Sequence, residues 1–330
     1  MAKKPTCNRI DAARAASLLK EADRILLLTH QYPDGDTLGS AYALCRALQS
    51  LGKTVRVECA DPIPEKYDYM TAGVPSPAFE PAFVCAVDVA DVRLLGSLGS
   101  RWAENIDLCI DHHGSNTAYA RFLLLDASRA ATAMLIFTVI RLLEAALDSG
   151  MAECLYTGLA TDTGCFKYAN TDADAHRMAA ALMDIGIHSE QINRAMFDTK
   201  SRARVELERL ALDSMRFHFG GRCAVMLITN DMIAASGAEE NDMEGLAPIP
   251  RQIEGVWVGI TLRQKADGNF KISVRTGSHA DASAICGRLG GGGHVRAAGC
   301  SLEAPADAAV DKLLRAVADT VPAIGDNGRG

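Results

Sequence analysis

The chain has 330 residues, which suits two domains better than one ordinary core, and its 48% hydrophobic and 23% charged residues are those of a globular protein. No apolar run approaches the roughly 20 residues needed to cross a bilayer, so no membrane partner is expected. The net charge of −7 argues against a track for long duplex nucleic acid, because grip on a polymer comes from many Lys and Arg contacts to phosphates.

The N-terminal stretch lacks the apolar segment of a signal peptide, Asp11 reads as a helix N-cap, and a cytoplasmic protein is expected. Residues 25–29 (ILLLT) form a buried-strand run, followed by a helix over 38–51 with Thr37 as its cap. Strand candidates continue at 54–58, 83–87 (FVCAV), 106–110 (IDLCI) and 122–125, with helices over 130–147 and 151–161. Strands alternating with helices imply a mostly parallel sheet covered on both faces. Beyond Thr171 come two helical stretches and a charged segment, SRARVELERLALDSMRF, read as a connecting helix. Strands at 223–228, 256–262 and 270–274 follow, then a helix over 282–289, a glycine run and a last helix over 305–317 opened by Pro305. The expected fold is α/β: a doubly wound, mostly parallel N-terminal domain (1–190), a helical linker (191–216) and a smaller α/β substrate-binding domain (217–330). The ten cysteines are scattered without a C-x-x-C pair; Cys85 and Cys109 read as core residues, and Cys165 as structural.

Four segments gather the chemistry-bearing residues: His30-Gln-Tyr-Pro-Asp34-Gly-Asp36, Asp88, Asp111-His112-His113-Gly114, and Asp162 in YTGLATDTG. The first three directly follow predicted strands, and in an open α/β sheet the ligand crevice lies at the carboxyl ends of the strands. Gly35 and Gly39 are expected to let the first loop turn tightly, and small residues around Asp162 (Gly158, Ala160, Gly164) to let its helix approach closely. Asp34, Asp36, Asp88 and Asp162 in one crevice would repel one another, and two divalent cations would neutralise them. A mixed imidazole and carboxylate set suits manganese, with iron, cobalt or zinc as other fits. Two ions about 3.5–4 Å apart clamp a phosphate and ionise the water between them.

A second motif is Gly290-Gly291-Gly292-Gly293-His294 with Arg296. Glycines ahead of a helix expose backbone amides to an anion, and His294 and Arg296 add donors. Arg275, at the end of the FKISV strand, offers a bidentate phosphate contact.

In this order, HQYPDGD, the strand-end Asp88, DHHG and TDTG resemble the DHH phosphoesterases, and KISVRTG…GGGGHVRAAG resembles the DHH-associated substrate-binding domain. FKYANTDADAHRMAAALMDIG and EGLAPIPRQIEGVWVGI look like the nanoRNase and pAp-phosphatase branch. The resemblance implies two manganese ions, one on His30, Asp34 and Asp88, the other on Asp36, Asp88, His112 and Asp162, with Asp88 bridging. It makes Asp111 an orienter and His113 a phosphate contact or proton donor. Arg275, Gly291, Gly292, Gly293, His294 and Arg296 would bind substrate. Thr276 stands where the family usually has serine, and Arg296 where it usually has lysine; the APIPR stretch lacks an expected asparagine.

The implied activity is hydrolysis of short RNA oligonucleotides to mononucleotides, and of pAp to AMP, by in-line attack of a hydroxide formed between two metals. The domain carrying the glycine loop would close over a cleft, and a homodimer is one assembly allowed. A type II-like inorganic pyrophosphatase shares the metal motifs, but its Arg-Lys-Lys-type signature is replaced by GGGH. RecJ-like long-strand nuclease action lacks a basic surface, and the transmembrane segments of membrane cyclic-di-AMP phosphodiesterases are missing. A non-catalytic nucleotide sensor is at odds with a filled set of ligand positions.

Overall fold

The computed structural model describes residues 7–243, 245–303 and 305–325; the first six residues of the stretch read as lacking a signal peptide lie outside them. The chain divides into two compact units, Met1–Thr199 and Lys200–Gly330. Among the described residues no helix is long and apolar enough to cross a membrane.

The first unit runs β1 (Asn8–Arg9), α1 (Ala12–Glu21), β2 (Ile25–Leu28), α2 (Gly35–Ser50), β3 (Val55–Glu58), α3 (Asp68–Thr71), β4 (Phe83–Val87), α4 (Gly99–Trp102), β5 (Leu108–Asp111) and β6 (Phe122–Leu125). Helices α5 (Thr132–Leu143), α6 (Ser149–Asp162), α7 (Ala173–Met183) and α8 (Ser189–Asn193) complete it. The strands pair in the order β1-β6-β5-β4-β2-β3, all parallel. Side chains alternate between two cores. Ile25, Leu27, Cys85, Val87, Leu108 and Ile110 pack with α1, α2, α5 and α6, while Leu26, Leu28, Val84, Ala86 and Cys109 pack with Leu95, Trp102 and Ile106. Burial on both faces is why these strands read as unbroken apolar runs.

The strand order reverses around β2, with β3 on one side and β4 on the other. The loops leaving β2 and β4 therefore diverge at the carboxyl edge, the place where folds of this kind take ligands. Helix α2 begins at Gly35, capped by the Asp34 side chain and not by Thr37. Thr37 Oγ1 instead donates to the Val87 carbonyl at 2.9 Å, tying the helix to the end of β4. Gly35 and Gly39 lie within the helix and serve close packing rather than a turn. A Cβ on Gly39 would come 2.2 Å from the Cys154 carbonyl oxygen in α6, and one on Gly35 2.5 Å from Thr161 Oγ1. On the facing helix, a Cβ on Gly158 would come 2.8 Å from Asp36 Oδ1.

The second unit comprises α9 (Arg202–Asp213), β7 (Arg216–His218), β8 (Cys223–Ile228), α10 (Asn230–Ser236), β9 (Val258–Gln264), β10 (Phe270–Thr276), α11 (Ala282–Gly287), β11 (Gly292–His294), β12 (Ala297–Leu302) and α12 (Ala306–Thr320). Its sheet has the order β11-β12-β10-β9-β8-β7; only β8 and β9 are parallel. Helices α11 and α12 pack on one face through Ile285, Cys286, Leu313 and Val317, while Leu207 and Ala211 of α9 pack with Met226 and Ile228 of β8. The glycine run differs from expectation. It does not precede a helix; Gly292–His294 is an edge strand that turns into β12. AAGCSL has little intrinsic strand preference, but pairing with β10 from Phe270↔Leu302 to Arg275↔Ala297 holds it extended.

Gly39→Ala is expected to destabilise the protein by about 1–3 kcal/mol through overpacking. Gly287→Ala, where a Cβ meets nothing within 4 Å, is expected to stay within about 0.5 kcal/mol of wild type. Urea unfolding of both variants checks the contrast.

Candidate metal centre

Three strand-end loops and two helix ends meet at the carboxyl edge of the first sheet. His30 and Asp34 come from the loop after β2, Asp36 from the first turn of α2, Asp88 from the end of β4, His112 and His113 from the end of β5, and Asp162 from the last residue of α6. Ligand atoms of His30, Asp34 and Asp88 lie within 4.8 Å of one another, as do those of Asp36, His112 and Asp162, and those of Asp88, His112 and His113. Asp88 faces both sides. Its Oδ2 is 3.8 Å from His30 Nε2 and its Oδ1 is 3.9 Å from His112 Nε2. His30 Nε2 is also 3.6 Å from Asp34 Oδ1.

The two histidines are held alike. Nδ1 of His30 lies 2.8 Å from the Gln31 carbonyl oxygen, and Nδ1 of His112 lies 3.0 Å from that of Arg129. A carbonyl only accepts, so Nδ1 carries the hydrogen and the neutral ring presents its Nε2 lone pair to the cluster. His112 Nε2 is buried and makes no hydrogen bond, although Asp162 Oδ2 is only 3.0 Å away. A buried nitrogen aimed at carboxylates without a hydrogen bond fits a cation between them, so the donor set here suits a divalent metal.

Electrostatics agree. Burial, reinforced by Asp88 and Asp162, pushes Asp36 well above the usual carboxylate range, and burial with Asp34 and Asp162 lifts Asp88 to about 8. Burial opposes a charge on His30, but Asp34, Gln31 and Asp88 outweigh it and raise the imidazole to about 9. Burial likewise opposes a charge on His112, but Asp162, Asp36 and Asp88 raise it to about 10. Without a cation, the cluster retains protons to limit its own repulsion.

The surrounding fold supplies what positive character it can. Asp36, from α2, accepts the amides of Thr132 at 2.6 Å and Ala133 at 2.9 Å, so it caps α5, whose own N-cap Ala131 has no suitable side chain. Thr132 Oγ1 donates to Asp88 Oδ1 at 2.7 Å, and Ser40 Oγ to Asp36 Oδ1 at 3.1 Å. Sequence reasoning missed Thr132 and Ser40; the only signal was a small hydroxyl at a helix start or one turn after a key aspartate.

Asp111 is fully buried beneath the site. Its Oδ1 accepts from the amide of His113 at 3.1 Å and lies 2.8 Å from His113 Nδ1, and its Oδ2 accepts from Asn116 at 2.6 Å. Burial alone would raise this carboxyl, but the bonds from His113 and Asn116 hold it below the usual range. Asn116 was also missed, being an unremarkable polar residue in a loop.

In the second unit, Arg275 of β10 and His294 of β11 both stand opposite Ala297 of the intervening β12. Paired residues share a face, so both side chains project from the face opposite the α11 and α12 core. Gly291 is required for packing, since a Cβ would come 2.2 Å from the Gly299 carbonyl oxygen. Gly293 has φ of +147° and equally little room, whereas Gly292 meets nothing. Arg296 donates through Nη1 to the carbonyls of Gly277 and Ala280, so part of its guanidinium holds the turn after β10.

Two family models match the chain: the DHH family, N-terminal domain, over residues 24–159, and the DHHA1 domain over 221–322. The bifunctional oligoribonuclease and PAP phosphatase NrnA of Thermus thermophilus is 35% identical over 321 residues, covering 94% of each chain. The protein of the same name from Bacillus subtilis is 25% identical over 85% of this chain and 90% of its own. Among solved structures, an exopolyphosphatase-related protein from Bacteroides fragilis matches with a TM-score of 0.86 at 24% identity, covering 96% of this chain and 97% of that one. RecJ of Thermus thermophilus, solved with Mn2+, matches at 0.54 and 15% identity, covering 93% of this chain and 54% of that one. These two structural likenesses bear on the fold alone. Motif order, sheet topology and full-length similarity agree, and the chain belongs to the DHH family, in the NrnA-like branch that pairs the DHH domain with a DHHA1 domain.

Proposed function

We propose that this protein is a metal-dependent phosphoesterase that hydrolyses short oligoribonucleotides to mononucleotides and pAp to AMP. The observation that carries the reading is a single carboxylate, Asp88, presenting one oxygen to His30 and the other to His112 in a buried acidic cluster. The relatives named as oligoribonucleases and PAP phosphatases support the substrate class.

One ion is assigned to His30, Asp34 and Asp88, and a second to Asp36, Asp88, His112 and Asp162; the mixed imidazole and carboxylate donors favour manganese. When bound, such ions supply Lewis-acid polarisation of phosphoryl oxygens and acidify water. The chain's own groups do the rest. Asp111 holds His113 through Nδ1, which leaves Nε2 for a phosphoryl oxygen or for protonating the departing nucleoside oxygen. Thr132 and the amides at the start of α5 fix Asp36 and Asp88, so the carboxylates need no rearrangement when substrate arrives. Residues 1–190 are assigned the catalytic role, 191–216 the linker and 217–330 nucleotide binding, through Arg275, the loop of Gly291, Gly292 and Gly293, His294 and the rest of the Arg296 guanidinium; the Gly291 amide is not one of the donors, because it is held by the Cys286 carbonyl at 2.9 Å. The described cysteines are all unpaired, in keeping with a reducing compartment such as the cytoplasm.

Competition among pApA, pAp and pyrophosphate over added manganese tests the substrate class: turnover of the first two and negligible turnover of pyrophosphate is expected. Asp88→Ala is expected to reduce pApA hydrolysis to the metal-free background, and full retained activity would falsify the site. Thr132→Val is expected to weaken metal affinity about 10–100-fold, with activity recovered at higher manganese.

The pH response has a definite sign. Asp88 is raised from 3.8 to about 8, and His30 and His112 from 6.5 to about 9 and about 10. Groups raised by folding stabilise the metal-free protein below their unfolded values, and that contribution is lost as pH climbs through the folded ones. The melting temperature in EDTA should therefore fall between pH 6.5 and 8, where the three windows overlap, and fall less in Asp88→Asn. Added manganese should raise melting more at pH 8 than at pH 6.5, because binding displaces those protons. Thermal denaturation across this range checks both trends.

A further inference from the structure

Tyr32 sits midway between His30 and Asp34 with φ of +54°, in the left-handed region that non-glycine residues avoid. The following Pro33 makes this costlier, because the residue before a proline is normally driven to extended backbone. The conformation is held from all sides. The Tyr32 amide donates to Asp61 Oδ2 at 2.8 Å, the Gln31 amide to the Leu94 carbonyl at 2.7 Å, Cys59 Sγ lies 3.4 Å from the His30 carbonyl oxygen, and Pro33 is buried.

What this rigid backbone presents is a bare ring. Tyr32 is 76% exposed, the most exposed of the large apolar side chains among the described residues, and no other ring stacks on it there. Tyr168 differs: it is also exposed, but its ring lies against Gly164, where a Cβ would come 2.3 Å from it. Tyr32 thus presents an exposed ring from a pinned, strained loop, two residues from His30 on one side and from Asp34 on the other. Strain of this kind persists where the surroundings over-determine it, and it marks functional loops.

We propose that Tyr32 is a stacking platform for the nucleobase of the nucleotide whose phosphate is bound at the metal centre, with Asp61 as the positioning residue that fixes it. The proposal rests on the phosphoesterase reading above. A π-face accepts any base, so the platform contributes affinity without sequence preference, and it favours substrates carrying a base next to the scissile phosphate.

The test compares pApA with an analogue lacking the base of the nucleotide at the cleaved phosphate. Tyr32→Gly removes the ring and also relieves the backbone strain, so the variant is expected to fold; Tyr32→Phe keeps the ring. Wild type should prefer pApA over the abasic analogue by about tenfold in kcat/KM, carried mainly by KM. Tyr32→Gly should lose that preference, and Tyr32→Phe should retain it. A Tyr32→Gly protein that keeps the full preference overturns the proposal, as does a Tyr32→Phe protein that loses it. A dinucleotide carrying 2-aminopurine separates the two readings: its fluorescence should be quenched on binding to wild type and not to Tyr32→Gly. Quenching without any turnover would overturn the phosphoesterase reading and leave the platform standing; turnover with equal quenching in both proteins would do the reverse.

Discussion

Everything at the carboxyl edge follows from the cost of crowding four carboxylates together, two of them out of reach of water. Asp36 is fully buried and Asp88 nearly so. Their mutual repulsion has to be relieved by protons, by cations or by donors built into the fold. The fold provides some of those donors: the amides opening α5 and the Ser40 hydroxyl serve both oxygens of Asp36, Thr132 Oγ1 serves Asp88, and the first amides of α2 serve Asp34. The same residues thus cap α2 and α5 and are the proposed ligands, which would tie the packing of these helices to the chemistry.

Bringing these helices together sets the second constraint. Helix α6 must deliver Asp162 to the edge while running against α2, and the two backbones approach until no Cβ fits at Gly39 or Gly158. Glycine in a helix weakens it, and here that weakness is offset by a contact no larger residue permits. Because Gly158 lies directly beside the Asp36 carboxylate, the spacing of the helices bears on the position of a proposed ligand.

Much of this was legible in the sequence because it rests on residue types in strong contexts. His30, Asp34, Asp88 and His112 each follow an apolar run that could only be a buried strand, and parallel strands deliver their carboxyl ends to one edge. The N-cap at Asp11 was equally readable and is present, with the side chain accepting from the Arg14 amide. The parts that escaped lack a local signature. Thr132, Ser40 and Asn116 are ordinary polar residues whose role exists only once distant segments meet. Thr37 looked like a cap, yet the cap fell to Asp34, whose carboxylate accepts two amides. The glycine run misled because glycine has no preference of its own: its strand is imposed by β12, which is in turn imposed by β10. The strain at Tyr32 was invisible for the same reason, since it depends on Asp61 reaching across from another loop.

The hairpin that ends in β11 has a consequence for solubility. An outermost strand leaves one row of backbone donors and acceptors unsatisfied, and such a row can recruit a strand from another molecule into runaway association. Here the exposed border is three residues long, begins with two glycines and ends in a histidine. It is too brief and too poor in side-chain surface to zip productively with a neighbour. The chain can thus carry an open sheet border at its surface without offering a seed for aggregation.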